Sequence, residues 1–81
     1  MIIKVLAFGV AKEIFGAPSI DVSFGKDVIT VDALKGMLQQ TYPRLQQLSS
    51  YMIAVNNDYA KGAEVIGARD EVAVIPPVSG G

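Results

Sequence analysis

The chain opens on a β-branched and aromatic run, Ile2 to Phe8, which predicts a strand. Its two faces differ. Ile3, Val5 and Ala7 point one way and Ile2, Lys4, Leu6 and Phe8 the other, so the face that carries a lysine meets solvent or a partner. Val10 to Phe15 predicts a short helix, with Gly16 as its C-cap and Pro18 just beyond. Ser19 to Phe24 alternates: Ile20, Val22 and Phe24 on one side, Ser19, Asp21 and Ser23 on the other. That is a half-buried strand, and the short connection lets it pair antiparallel with the first. Thr30 reads as an N-cap, with Asp32 in the first turn where the helix dipole favours an acid. Val31, Leu34, Leu38 and then Tyr42 or Leu45 follow helical spacing, and Pro43 ends or kinks the helix near Tyr42.

Tyr51 to Val55 predicts a third long strand, stopped by the turn formers Asn56-Asn57-Asp58. Tyr59 to Lys61 is a short strand or a bend, Gly67 to Asp70 a polar turn, and Val72 to Ile75 the last strand, closed by Pro76-Pro77. The order is strand, strand, long helix, strand, strand. It predicts a two-layer α+β domain over residues 1–75, with the helix on one sheet face and the other face left to solvent or a partner. With Val72 and Val74 turned to the core, Glu71, Ala73 and Ile75 face outward, as do Leu6 and Phe8 on the first strand. Either Phe8, Ile75 and Tyr59 form an exposed apolar binding patch, or loops cover them.

Composition narrows the chemistry. There is no cysteine and no histidine, which removes disulfides, thiol nucleophiles, imidazole acid-base chemistry and the usual zinc ligands. A formal net charge of −1 offers no basic excess for nucleic acid. No apolar run approaches a membrane span, and the strand-like N-terminal segment lacks a signal-peptide pattern, so the expectation is a soluble cytoplasmic protein. Phosphate-loop, dinucleotide and metalloprotease motifs are all missing. Asp70-Glu71 is a pair of adjacent carboxylates, which a strand would send to opposite faces, and it reads as turn and solvated edge. Asn57 and Asp58 read as turn formers and Lys61 as a solvated surface lysine. No metal site is expected.

The sequence ends Pro76-Pro77-Val78-Ser79-Gly80-Gly81, and residues 76–81 are read as an extended tail. Fully extended, these residues reach at most about 20 Å. The prolines stiffen the root, and the two glycines give a slender tip with φ values closed to other residues. With side-chain catalysts scarce, the Gly81 carboxylate is the main candidate reacting group.

That terminus, preceded by Asp70-Glu71-Val72-Ala73-Val74, resembles the small subunit of molybdopterin synthase. So do Ile3-Lys4-Val5-Leu6 with Phe8, Ala11 to Gly16, Thr30 to Lys35, and Ala54-Val55-Asn56. The resemblance covers essentially the whole chain. It implies a β-grasp, ubiquitin-like fold, with a mixed sheet and one main helix packed on one face. It also implies a sulfur carrier with no cofactor of its own. An activating partner enzyme would use ATP and magnesium to adenylate Gly81, and sulfur would replace the AMP to give a thiocarboxylate. The tail would enter the large subunit of the synthase and pass sulfur to a pyranopterin precursor, two small subunits pairing with two large ones in a heterotetramer. Gly80 would give the tip its clearance; Ser79, Val78, Pro77 and Pro76 make up the rest of the tail. The family's partner-facing positions correspond to Phe8, Tyr59 and Ile75.

Two other readings keep the fold. A related Gly-Gly carrier or ubiquitin-like modifier, as in thiamine or tRNA thiolation pathways, shares the tail but differs in its acceptor. A non-catalytic β-grasp adaptor would bind through the Phe8/Ile75 face and leave the tail incidental.

Overall fold

The long helix starts where its cap predicts. Thr30 is extended, and its hydroxyl accepts a hydrogen bond from the Ala33 N–H at 3.1 Å, satisfying one of the donors that a helix start leaves unpaired. The computed structural model describes residues 1–48 and 50–76. Pro77, Val78, Ser79, Gly80 and Gly81, and with them most of the expected tail, lie outside the described residues.

In chain order the elements are β1 (Ile2–Ala7), α1 (Val10–Phe15), β2 (Ser19–Ser23), β3 (Val28–Thr30), α2 (Val31–Thr41), a 3-10 turn (Pro43–Gln47), β4 (Met52–Val55), β5 (Asp58–Tyr59), β6 (Val65–Gly67) and β7 (Val72–Ile75). A five-stranded sheet runs β2-β1-β7-β4-β5. Its central pair, β1 and β7, is parallel, while β1–β2, β4–β7 and β4–β5 are antiparallel. This mixed sheet with one main helix on one face is the expected β-grasp.

The sheet's inner face is set by parity. Ile3, Val5 and Ala7 from β1, Ile53 from β4, and Val72 and Val74 from β7 join Val31, Leu34 and Leu38 from α2 in one core. Each fully buried aliphatic side chain contributes about 1.5–3 kcal/mol of transfer free energy, and these long-range contacts tie the first strand to the last. Ile20, Val22 and Phe24 pack against the core half-buried, as their alternation predicts. Gly16 caps α1 at φ 75° in the left-handed conformation and donates to the Lys12 carbonyl. Phe15 lies against Tyr42, ring centroids 4.7 Å apart.

Three features correct the expected order. A second, two-stranded antiparallel sheet pairs β3 with β6, so Val28–Thr30 and Val65–Gly67, absent from the expected order of elements, are strands. Leu45 reaches the core from the 3-10 turn, because Pro43 ends α2 at Thr41. Tyr51 precedes its strand; it is buried, and its hydroxyl accepts a 2.6 Å hydrogen bond from Gln39 Nε2.

Candidate functional site

The sheet's outer face is built by the same parity that builds the core. Leu6 pairs with Ala73, Ala73 with Ala54, and Ala54 with Tyr59. One row of side chains therefore crosses β1, β7, β4 and β5 as leucine, alanine, alanine, tyrosine. The two alanines in the middle stand low between taller neighbours, so the face is concave there. Phe8 follows Leu6 at the end of β1, and its N–H donates to the Val74 carbonyl at 3.3 Å. That places it beside Ile75, which in turn faces Met52 across β4.

The resulting groove is lined by Leu6, Phe8, Ala54, Asn57, Tyr59, Glu71, Ala73 and Ile75 and has a volume of about 240 Å³. That is smaller than the roughly 300–1,000 Å³ typical of small-molecule sites, and suits one or two side chains of another protein. Phe8 is 51% exposed and Tyr59 65%; Ile75 is half-buried. Phe8, Tyr59 and Ile75, far apart in sequence, thus line one groove, and no described loop covers it. Among the described residues, Phe8 and Tyr59 are exposed and Ile75 half-buried rather than covered by loops.

Among the described residues Glu71 is the groove's one charged lining residue, and it lies at the end away from Ile75. Its position is fixed by the β4–β5 hairpin. Asn56 and Asn57 both have positive φ, 53° and 73°, the pair of left-handed residues that a two-residue hairpin turn demands. Asn56 then clasps the turn before β7. Its N–H donates to the Glu71 carbonyl at 2.8 Å. Its Oδ1 accepts from the Glu71 N–H at 2.9 Å, and its Nδ2 donates to Asp70 Oδ1 at 3.0 Å. The other Asp70 oxygen accepts from the Gly67 N–H at 2.8 Å. The Gly67 N–H and, after it, the Asn56 amide hold the Asp70 carboxyl below its ordinary value. Asp70 and Glu71 therefore have separate tasks, closing a turn and facing the groove, as two adjacent residues with opposite directions must.

At the far end of β7 the described chain finishes on Pro76, half-buried. Gly9, the residue after Phe8, has φ 55° and ψ −131°, and a Cβ built there would stand 3.2 Å from Pro76 Cγ. The root of the expected tail thus leaves the sheet beside Phe8 and Ile75. Gly81, Gly80, Ser79, Val78 and Pro77 lie outside the described residues. Among those described, no group of three or more acidic side chains is placed to hold a metal ion, and no helix is long and apolar enough to cross a membrane.

The sequence had pointed outward for Leu6, Glu71 and Ala73 but missed Ala54. Its place at the groove floor depends on β4 pairing with both β7 and β5, which no local pattern encodes.

A model of the ThiS family matches residues 5–81. The chain is 34% identical over 80 residues to the molybdopterin synthase sulfur carrier subunit of Arabidopsis thaliana, spanning 98% of this chain and 82% of that protein. It is 39% identical over 83 residues to the protein of the same name from Mycobacterium tuberculosis, spanning 98% and 96%. Among solved structures, it is similar to small archaeal modifier protein 1 of Haloferax volcanii, with TM-score 0.80 and 22% identity over 95% of this chain and 98% of that one. It is also similar to a chain in the complex of subunits 1 and 2 of the molybdopterin-converting factor from Helicobacter pylori, with TM-score 0.69 and 22% identity over the whole of both chains. These two structural likenesses establish the fold.

Proposed function

This chain belongs to the ThiS family, and from that premise we propose that it is the sulfur-carrier subunit of a molybdopterin synthase. The observation that carries the reading is the reach of the family match, which runs through the globular domain and on to Gly80-Gly81 at residue 81. Relatives named as sulfur carrier subunits align over nearly the full chain. The fold-level likeness to a modifier protein does not favour the modifier reading over this one.

In this reading Gly81 is the reacting residue. Its carboxylate is a poor acyl donor, because oxide is a poor leaving group. An activating enzyme that uses ATP and magnesium transfers AMP to the carboxylate and releases pyrophosphate. A sulfur nucleophile then displaces AMP, leaving a thiocarboxylate; one hard step is divided into easier ones. Gly80 keeps the tip narrow inside the partner's site, and Pro76 to Ser79 carry it there. The absence of cysteine means no thiol of the carrier competes for the activated carbonyl. The chain itself supplies the acyl group and a docking face; the acids, bases and nucleotide site belong to its partners, and all act in the cytoplasm.

The docking face is the groove bounded by Phe8, Tyr59 and Ile75. It adjoins Pro76, so a partner seated on it has the tail at hand. The large subunit is the natural occupant, two carriers serving a dimer of large subunits. The test is the intact mass after incubation with the activating enzyme, ATP and a sulfur source. Exchange of one oxygen for sulfur, abolished when Gly81 is deleted, is the expected result. Lysine conjugates formed by an unsulfurated terminus would overturn it in favour of a modifier.

A further inference from the structure

We propose that the depression between α2 and the segment leading into β4 is a carboxylate site, occupied in the free carrier by the chain's own Gly81 carboxylate. The inference rests on the sulfur-carrier reading and adds what the tail's end binds before a partner takes it.

The depression has a volume of about 340 Å³, and its polar lining is Lys35, Gln39, Gln46, Ser50 and Tyr51. Among the described residues no carboxylate lines it. Its donors are held in place. Tyr51 is buried, and its hydroxyl accepts from Gln39 Nε2 at 2.6 Å, which leaves the hydroxyl's own proton to donate. Gln46 Nε2 donates to the Gln39 carbonyl at 3.5 Å and keeps a second N–H. Lys35 is half-buried, and its Nζ stands 4.9 Å from the centre of the Tyr51 ring. The ring face attracts the ammonium and leaves its N–H groups to water or an anion. A fixed cation beside neutral donors suits a carboxylate, whose bonds to such groups are charge-assisted.

The other cations offer less. Lys4 and Arg69 share their depression with Asp70 and Glu71. Lys12, whose N–H bonds to the Gly9 carbonyl near the tail's root, is exposed, and an ion pair in open water contributes little.

The tail's length fits the site. Ile75 pairs with Met52, so Pro76 and Tyr51 are the next residues outward on the two strands. Tyr51 turns to the inner side, as Ile53 does, and its ring sits under Lys35. Facing Cα atoms in an antiparallel pair are about 5 Å apart, which puts the ammonium on the order of 14 Å from Pro76. The five residues 77–81, extended, span about 17 Å. A carboxylate on such a short tether acts at a millimolar effective concentration, so a site too weak to hold a free carboxylate can hold this one. Lys35 then sets the fraction of carriers whose tip is available, and a partner's apparent affinity for the tail falls with that fraction.

The test is two-dimensional NMR of the nitrogen-15-labelled full chain in three forms: wild type, the chain with its Gly81 carboxylate converted to a carboxamide, and Lys35→Gln. Each change is read at the opposite end of the contact. Amidation should shift the Gln39 and Tyr51 backbone amides and the Gln46 side-chain amide. Lys35→Gln should move the Gly80 and Gly81 amides to the positions and fast motion of an unstructured glycine. Raising salt from about 50 to 500 mM should reduce both responses. Thermal unfolding checks that Lys35→Gln folds; if it does not, the amidated chain alone decides. Silence at the far end in either comparison overturns the inference, and responses that grow with protein concentration overturn it in favour of a second copy's tail. The exchange of oxygen for sulfur, measured by mass on the same wild type, separates the two claims. Its failure removes the carrier reading and this inference with it, whereas its success beside silent far ends overturns the parked tail alone.

Discussion

Gly9 and Pro76 meet at the point where the tail leaves the sheet: a Cβ on Gly9 would approach Pro76 Cγ to 3.2 Å. Gly9 also holds φ 55° with ψ −131°, a conformation that L side chains rarely enter. Gly9→Ala therefore combines backbone strain with crowding at the tail's root. It should cost about 1–3 kcal/mol, read by urea unfolding. In the double variant Gly9→Ala/Pro76→Ala the crowding is relieved and the strain is not, so only part of the loss should return. Full recovery would assign the whole effect to the contact, and no loss in the single variant would remove both arguments.

Thr30 joins β3 to α2 and caps the helix through its hydroxyl. Thr30→Ala should lower stability by about 1 kcal/mol, and Thr30→Ser should retain most of it. Equal losses in the two would place the effect in the β3–β6 pairing with Val65 rather than in the cap.

Much of this architecture is legible in the chain because local chemistry and tertiary need coincide. α1 is bounded as predicted, since Gly16 supplies the left-handed cap and Pro18 follows. α2 begins and ends at its cap and its proline. Asn56-Asn57 gives the hairpin. The β3–β6 ribbon was not legible. Val28–Thr30 runs straight into α2 with no turn signal, and Val65–Gly67 ends on a glycine; each becomes a strand only because the other lies beside it. The same limit applies to the groove. Alternation turned Phe8 and Ile75 outward, but the row Leu6-Ala73-Ala54-Tyr59 follows from the strand order β1-β7-β4-β5, and that order is set by packing across the whole sheet.

The clasp formed by Asn56 predicts a pH dependence. Asp70 is held below its ordinary value by the Gly67 N–H and then by Asn56. A depressed folded-state value means that the stabilisation is present above the unfolded carboxyl's pKa, about 4, and is lost as pH falls through that value and below it. Wild type should lose stability across this acid range, and Asp70→Asn should show a shallower loss. Parallel curves for the two would detach Asp70 from the acid response.

Asn56 and Asn57 share a turn but not a task. Both hold left-handed φ, so glycine relieves each of them equally. Only Asn56 makes side-chain bonds to the Asp70–Glu71 segment. Asn57→Gly should be neutral or slightly stabilising, while Asn56→Gly should cost about 1–2 kcal/mol from the two lost bonds. Equal effects would show that the turn conformation, and not the clasp, governs this corner.

Phe8 tests whether the outer face is a docking surface or merely uncovered. Half of its side chain is already in water, and its backbone N–H bond to Val74 does not depend on the ring. Phe8→Asp should therefore leave the melting temperature within a few degrees of wild type. On the partner, the same change removes an aromatic anchor and sets a carboxylate against an apolar surface, so affinity for the large subunit should fall at least about tenfold. The two measurements must separate: a loss of affinity with the fold intact places the partner on this groove. Unchanged affinity moves the partner to another surface, and a parallel loss of stability makes Phe8 part of the fold.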